Sequence, residues 1–394
     1  MNKVIDLINS KTDEIYNACI EIRRHIHKNP ELSFYEYETE NYICEWLDKW
    51  GIEYKKDIAK TGVVAVINGN NPGKTLLIRA DMDALPIDEK SDKLYKSSNF
   101  GVMHACGHDV HTTILLGTAY VLNSIKEEFS GCVKLVFQPG EETTGGALPM
   151  INEGILENPT VDVCLALHCD PDLKCGTVRI KEGALYASPD EFTLKIIGKG
   201  GHAAKPQNCI NPITVTSELV LQLNEFAHNY VNSKDIGVLT IASYNSGTAT
   251  NIIPDTAEIT GTARAFDCET RKFLKENIGK ISNSVCEKFG ADIEYEFREM
   301  FPPLINDKDL SALVFKLSSQ ILGDNNCIFG GDKTMEGEDF AYFSERKPSV
   351  MIKLGCQSEE SGIVNKLHNC SFDVKEDCIK SGIKVFAFFA TNYC

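Results

Sequence analysis

Nine consecutive residues, HACGHDVHT at positions 104–112, contain three histidines, a cysteine and an aspartate. Cys106 and His108 have the C-x-H spacing that lets a thiolate and an imidazole approach one metal ion, or two adjacent ions, from a single loop. The glycine between them permits a tight turn. A helix beginning directly after this loop is expected to lower the pKa of Cys106 and favour its thiolate. The stretch therefore indicates a metal site, with His104 and His111 interpreted as supporting residues.

Polar side chains also follow three apolar runs that are typical of strands. Asp81 and Asp83 follow one run, Glu141 and Glu142 follow the next, and His168 ends a third. Open α/β sheets bind ligands at the carboxyl ends of their strands, so we expect these side chains to gather at one sheet edge. Adjacent residues that leave a strand point in opposite directions. One glutamate is therefore expected to bind a metal while its neighbour faces the substrate and transfers protons.

The elements that must hold these residues alternate between helices and strands. The spacing of apolar residues predicts helices at 4–28, 36–50, 112–129 and 147–156. Short β-branched runs predict buried strands at 63–67, 76–78, 133–137 and 161–167. This alternation is typical of an α/β domain with a mostly parallel sheet flanked by helices.

The pattern changes between residues 184 and 299, where strands alternate in polarity. In chain order, a strand is predicted at 191–197, a helix at 212–230, strands at 238–244 and 257–266, a helix at 269–289 and a strand at 292–297. This order is the split βαβ arrangement of a ferredoxin-like α+β domain. The α/β character then returns, with helices near 307–322 and 375–392 and a strand at 349–354. We therefore predict that residues 184–299 are inserted into a catalytic domain formed by residues 1–183 and 300–394.

The composition limits the partners of the chain. Its 394 residues include 40 Lys and Arg and 56 Asp and Glu, for a net charge of −16. This balance argues against binding to nucleic acid or to an anionic membrane surface. No apolar run approaches the roughly 18 residues of a membrane helix, and the first residues do not resemble a signal peptide. With 15 cysteines, an odd number, the chain is expected to be cytoplasmic with mostly reduced thiols.

Eight motifs along the chain resemble the M20 metallopeptidase family, and within it the amidohydrolase branch of hippurate hydrolases, N-acyl amino acid deacylases and auxin-conjugate hydrolases. They occur in family order and together are highly specific. The motifs are RRHIHKNPELSFYEYET (23–39), RADMDALPIDE (79–89), MHACGHDVHTTILLG (103–117), FQPGEE (137–142), GKGGHAAKP (198–206), NIIPDTAEITGTAR (251–264), GEDFAYF (337–343) and LH (367–368).

The resemblance implies a co-catalytic site with two divalent metal ions per subunit. Manganese or zinc is most expected, and cobalt or nickel is also compatible with cysteine and histidine ligands. Cys106 would occupy the bridging position, Glu141 would be the general acid and base, and Asp83 would orient a ligand histidine. The implied ligands are Cys106, His108, Glu142, His168 and His368.

In the same family the inserted domain mediates dimerisation, so the resemblance implies a homodimer. His202 would reach the active site of the partner subunit and stabilise the oxyanion. Asn251 and Arg264 match positions that help to bind the substrate carboxylate. The chain departs from the usual family pattern at Gly140, where alanine is usual, and at 369–370, where Asn-Cys replaces Ser-Pro. These departures bear on substrate fit rather than on the ligands.

The expected activity is metal-dependent hydrolysis of the amide bond of N-acyl amino acids, such as N-acetyl amino acids, to a carboxylic acid and a free amino acid. A di- or aminopeptidase of the same family is the first alternative, although those branches typically have aspartates at the positions of Cys106 and His168. A non-catalytic metal-binding protein on this fold is the second. Glu141 argues against it, because a binding module needs no general base.

Overall fold

A computed structural model describes residues 2–231 and 236–394 of the chain. The first elements are α1 (Asn2–Lys28), α2 (Tyr37–Lys49), β1 (Tyr54–Ile58), β2 (Gly62–Asn68), β3 (Thr75–Asp81), α3 (His108–Ser124), β4 (Cys132–Gln138), α4 (Ala147–Asn152), β5 (Val163–Lys174) and β6 (Val178–Ile180). The next are β7 (Gly183–Tyr186), β8 (Ser188–Ile197), β9 (Gly201–His202), α5 (Pro212–Phe226), β10 (Gly237–Ser246), β11 (Ile252–Ile253), β12 (Thr256–Ala265), α6 (Cys268–Phe289), β13 (Asp292–Arg298) and β14 (Leu304–Asn306). The last are α7 (Lys308–Leu322), β15 (Cys327–Phe329), α8 (Ala341–Ser344), β16 (Ser349–Gln357) and α9 (Cys378–Tyr393).

Residue contacts divide the described chain into two compact units. The first comprises the residues up to Gly183 together with Asn306–Asp332 and Tyr342–Cys394. The second comprises Ala184–Ile305 and Lys333–Ala341. The assignment of residues 184–299 to dimerisation stays a prediction. None of the helices in the two described ranges is long and apolar enough to cross a membrane.

The first unit contains an eight-stranded sheet in the order β1-β2-β4-β3-β5-β16-β6-β15. Its four central strands, β4, β3, β5 and β16, run parallel, and every residue of β3 and β4 is buried. Helices α1, α3 and α9 pack against one another. The predicted α/β class with a mostly parallel sheet flanked by helices is confirmed.

Strand β2 runs antiparallel to β4, so the run predicted at 63–67 belongs to the antiparallel part of the mostly parallel sheet. Only residues 69–74 connect it to β3. A parallel connection needs a crossover of about a dozen residues or more, so this short link forces the chain to reverse direction.

The second unit contains a four-stranded antiparallel sheet in the order β10-β12-β8-β13, with α5 and α6 packed against it. This is the strand order of the predicted split βαβ arrangement. Burial alternates along β12, as expected for a sheet with one face covered. The predicted helix at 212–230 ends as an α-helix at Phe226 and continues as a π-helical turn, Ala227–Val231.

Helix α3 begins four residues earlier than predicted. Gly107 adopts a left-handed conformation with φ of 88° and starts the helix at His108. The helix ends at Ser124, and residues 126–128 form a separate 3₁₀ turn. His108, Asp109 and His111 therefore lie in the first helical turn rather than in a loop.

Arg23 on α1 connects this helix to α3 and to the segment before α9 through a buried network of ion pairs. Its Nε donates to Asp109 Oδ2 at 2.8 Å, and its Nη2 donates to Asp373 Oδ1 at 2.8 Å. Burial opposes ionisation of Asp109, but the Arg23 guanidinium holds the pKa of that carboxyl well below its usual range. Since Asp109 follows His108 directly, the network fixes the helix start that carries this histidine.

We expect Arg23→Met to lower the free energy of unfolding by about 3–5 kcal/mol, because it leaves buried carboxylates without their partner. Arg24→Met is the matched control. Arg24 binds Glu376 at 2.7 Å, but its side chain is 47% exposed, so its loss should change stability by less than about 1 kcal/mol. Urea unfolding followed by circular dichroism measures both variants. Similar losses in the two would contradict the role given to the buried network.

Candidate metal centre

His108 is held so that one ring nitrogen faces the interior of the site. Its Nδ1 lies 2.9 Å from the backbone oxygen of Asp83 and 3.2 Å from Asp83 Oδ1. Both atoms are acceptors, so Nδ1 carries a proton, and Nε2 is the nitrogen whose lone pair would be offered to a metal ion that displaces its proton. Nε2 is buried and has no hydrogen-bond partner among the described residues. This is the arrangement of a metal-binding histidine whose other nitrogen is held by a carboxylate.

Cys106 and His168 approach the same space from two other segments. Cys106 Sγ lies 3.5 Å from His168 Nε2, and His168 Nδ1 donates to the backbone oxygen of Cys169 at 2.8 Å. Strand β5 continues beyond His168 to Lys174, but its pairing with β3 ends at Ala166. His168 therefore lies just past the end of that ladder, where the predicted sheet edge places it.

The loop after β4 brings two carboxylates to this space. Glu142 Oε1 lies 3.8 Å from His108 Nε2 and 3.4 Å from His368 Nε2. Ligand atoms of His108, Glu141 and Glu142 lie within 4.8 Å of one another. The expectation that the two glutamates point in opposite directions is wrong. They lie in a turn after β4 has ended, so strand alternation does not apply.

His368 reaches the site from the far end of the chain. Its φ of 59° lies in the left-handed region that side chains other than glycine rarely adopt. Its backbone N–H donates to the oxygen of Ala105 at 2.8 Å, which ties it to the residue before Cys106. Strained backbone of this kind is concentrated at functional sites.

The five predicted ligands form two groups that share Cys106. Donor atoms of Cys106, His108 and His168 lie within 4.8 Å of one another, and so do those of Cys106, Glu142 and His368. A sulfur common to both groups matches the bridging position that the resemblance implied.

His111 and Asp81 contact residues next to the predicted ligands and hold one another in place. His111 Nδ1 lies 2.6 Å from Asp81 Oδ1, and His111 Nε2 accepts the N–H of Cys169 at 2.9 Å. Both nitrogens of His111 are therefore used within the protein, as its supporting role requires. Asp81 also binds Arg79. Asp81 was expected at the sheet edge with Asp83, and its contact with His111 is a feature that the sequence did not predict.

The electrostatics of the site favour a cation. Burial lowers the pKa of His108, but the carboxylates of Asp81, Asp83 and Glu142 raise it to about 10. Burial also lowers the pKa of His168, so that imidazole stays neutral and able to bind a metal. The same carboxylates that favour a proton on His108 would stabilise a divalent ion bound in place of that proton.

The expectation that the helix start lowers the pKa of Cys106 is wrong. Burial raises that pKa well above its usual range, and the carboxylates of Glu142, Glu141 and Asp81 raise it further. A thiolate at this position therefore requires a positive charge close to the sulfur. A divalent metal ion supplies that charge, so the residues present fit one.

The other predicted site residues lie in the second unit. His202 and Asn251 are close together, because β9 pairs with β11 and the N–H of Ala203 donates to the oxygen of Asn251 at 3.1 Å. Arg264 lies on β12, where its Nε donates to Thr262 Oγ1 at 3.1 Å. The roles of all three residues stay predictions.

Comparison with known proteins gives one family. A sequence model of peptidase family M20/M25/M40 matches residues 77–392. Thermostable carboxypeptidase 2 of Saccharolobus solfataricus is 37% identical over 394 residues, covering 99% of each chain. N-acetyl-L-cysteine deacetylase of Bacillus subtilis is 37% identical, covering 91% of this chain and 84% of its own. IAA-amino acid hydrolase ILR1-like 4 of Arabidopsis thaliana is 37% identical, covering 98% and 87%.

Among solved structures, the chain resembles the YXEP protein of Bacillus subtilis, described as a dinuclear metal-binding peptidase from the M20 family. The two share a TM-score of 0.86 and 32% sequence identity, and the match covers 96% of this chain and 98% of the other.

We expect Cys106→Ala to reduce metal binding to well below that of the wild-type protein, because it removes the donor common to both ligand groups. Cys164→Ala is the control, since Cys164 is fully buried in β5 but lies in the apolar core rather than at the site. Elemental analysis after dialysis against one divalent metal measures the bound ion per chain. Equal metal contents in Cys106→Ala and the wild-type protein would remove Cys106 from the ligand set.

Proposed function

The chain belongs to peptidase family M20/M25/M40 and is a hydrolase, and we propose that it cleaves the amide bond of N-acyl amino acids to a carboxylic acid and a free amino acid. The family match confirms the resemblance found in the sequence. The observation that carries the proposal is the pair of ligand groups sharing Cys106 with Glu141 beside them. The names of the Bacillus deacetylase and the Arabidopsis hydrolase support an acylated amino acid as substrate.

Two divalent metal ions per subunit would be held by Cys106, His108, Glu142, His168 and His368. When bound, they would lower the pKa of a water molecule and polarise the substrate carbonyl. Manganese or zinc suits this mixture of sulfur, nitrogen and carboxylate donors, and cobalt or nickel is compatible with it. The description of the Bacillus YXEP structure as dinuclear supports the count of two.

Glu141 is the general base and then the general acid of the proposed reaction. It takes a proton from the attacking water and passes this proton to the leaving amine. Its side chain is largely buried, at 8% exposure, beside His108 and Glu142. Asp83 fixes the ring of His108 through the contacts to Nδ1, so that Nε2 would be free to bind a metal ion.

His202 is proposed to stabilise the oxyanion in the active site of the partner subunit of a homodimer. Its Nδ1 accepts the N–H of Ala204 at 3.1 Å, so in the neutral ring the proton is on Nε2. That N–H, on an exposed side chain, is available to a developing oxyanion.

Arg264 and Asn251 are proposed to bind the carboxylate of the amino acid. The guanidinium of Arg264 is partly buried and also donates to the backbone oxygen of Met335 at 3.2 Å, which limits its rotation. A fixed guanidinium binds a carboxylate through two parallel hydrogen bonds. A local positive group of this kind lets a chain of net charge −16 accept an anionic substrate.

Peptide hydrolysis is the second candidate, and the name of the Saccharolobus carboxypeptidase favours it. Both reactions hydrolyse an amide next to a free carboxylate, so the same residues serve either one. The two candidates differ in the group on the carbonyl side of the scissile bond, which is a simple acyl chain in the first and an amino acid residue in the second.

After reconstitution with Mn²⁺ or Zn²⁺, we expect the protein to release amino acids from N-acetyl or N-aroyl amino acids faster than from unblocked dipeptides. A panel of both substrate classes, assayed for free amine with and without a chelator, measures the preference. Hydrolysis of dipeptides alone would replace the first candidate with the second. If the chelator abolished neither activity, the reaction would not depend on a metal.

Two neighbouring variants control this assay. Glu141→Gln should bind metal normally while its kcat falls by roughly 10²–10⁴-fold, because only the proton transfer is lost. Glu142→Gln should instead weaken metal binding. A Glu141→Gln enzyme with nearly normal kcat would exclude Glu141 as the base.

We expect a mixture of His202→Ala and Glu141→Gln chains, dissociated and reassembled together, to regain activity that neither variant has alone. Half of the sites in each mixed dimer would combine an intact Glu141 with an intact His202 of the other subunit, so about a quarter of the wild-type rate should return. The measurement is the hydrolysis rate of the mixture compared with the rate of each variant alone. A mixture that stays inactive would contradict the action of His202 across subunits.

A further inference from the structure

Residues 33–36, the last part of the connection between α1 and α2, contact the loop that carries Glu141 and Glu142. Ser33 Oγ donates to Asp83 Oδ2 at 2.6 Å. The same carboxylate oxygen accepts the backbone N–H of Glu142 at 3.0 Å. Asp83 Oδ2 therefore links Ser33 to the backbone of Glu142 through two hydrogen bonds.

Glu36 makes a second and independent contact with this loop. Its side chain is fully buried, and its Oε1 accepts the backbone N–H of Gly140 at 2.9 Å. Its Oε2 accepts the hydroxyl of Thr61 at 2.7 Å, so both oxygens are held in place. Gly140 immediately precedes Glu141, and its position is thus set by a carboxylate outside the loop.

Phe34 makes the third contact. A Cβ atom added to Gly140 would lie 2.5 Å from two carbons of the Phe34 ring, so the ring packs directly on the glycine backbone. Gly140 has a φ of 69°, and Phe34 itself has a φ of 62° although it is not glycine. The left-handed backbone of Phe34 is a strained conformation, and it occurs at the residue whose ring packs on the loop.

We propose that Ser33, Phe34 and Glu36, together called the 33–36 clamp, are positioning residues that set the places of Glu141 and Glu142 relative to His108. The clamp acts through the loop backbone and does not touch the substrate. The inference rests on the proposed function for the reaction that Glu141 performs. A displacement of a reacting group by about 1 Å can cost roughly 100-fold in rate, so contacts of this kind have catalytic consequences.

The test compares two replacements of Glu36. Glu36→Gln keeps an oxygen acceptor for the Gly140 N–H and should retain most of the wild-type kcat. Glu36→Met has a similar length but no acceptor, and its kcat should fall by roughly 10–100-fold with KM changed little. Loss of rate in both variants to the same extent would overturn the proposal, because the hydrogen bond to Gly140 would not then be the cause.

Glu40→Met is the matched control for a purely structural effect. Glu40 is 2% exposed, lies one turn further along the same segment and accepts the backbone N–H of Asp57 at 2.7 Å. Glu40→Met therefore loses a partly buried hydrogen bond to a backbone amide that is not in the loop of Glu141 and Glu142. Glu40→Met should be destabilised like Glu36→Met but keep its kcat, and an equal loss of kcat would reduce the clamp to ordinary packing.

Metal affinity separates failure of the clamp from failure of the proposed function. Titration calorimetry with Mn²⁺ or Zn²⁺ should show roughly tenfold weaker binding to Glu36→Met than to Glu40→Met, since Glu142 is displaced with the loop. This difference is expected even if no N-acyl amino acid is hydrolysed by the wild-type protein. Unchanged affinity together with unchanged kcat would overturn the proposal.

A second pair of variants tests the clamp if Glu36→Met does not fold. Gly140→Ala should lower kcat and metal affinity, because its methyl group collides with the Phe34 ring. Adding Phe34→Ala removes the collision and should restore part of both losses, although the left-handed backbone of residue 140 still disfavours alanine. A double variant no better than Gly140→Ala alone would show that the ring does not position the loop.

Discussion

A buried carboxylate must have a positive partner or lose its charge, and this constraint governs the first unit of the protein. Arg23 meets it for Asp109, and Arg79 meets it for Asp81. Glu142 is approached instead by the imidazoles of His108 and His368. The same centre contains a thiol whose ionisation is opposed by burial. A divalent cation at this centre would neutralise Glu142 and stabilise the thiolate of Cys106. The surrounding helices and strands hold these donors in position.

The ligand types and their meeting place were predictable from the sequence for a physical reason. Parallel strands end at a common edge, so residues after β3, β4 and β5 must approach one another however far apart they lie in the chain. Asp83, Glu142 and His168 come together in this way. The alternation of helix and strand likewise predicted the class of the fold, because it depends on local apolar spacing.

The remaining features depend on contacts that no local pattern encodes. The start of α3 at His108 follows from the left-handed backbone of Gly107, and the high pKa of Cys106 follows from carboxylates contributed by other segments. Glu36 and Ser33 were not singled out from the sequence. The motif ELSFYEYET contained them, but only the fold shows that they meet Gly140 and Asp83.

The position of β16 in the sheet has a consequence for biosynthesis. This strand lies beside β5 in the middle of the sheet, yet it is encoded after the whole of the second unit. While the ribosome is still producing residues 184–348, the apolar strand β5 has no neighbour on one side. An open apolar edge is a template for aggregation, so the nascent chain needs protection during this interval. The centre itself is completed later still, when His368 emerges, and a truncated chain cannot assemble it.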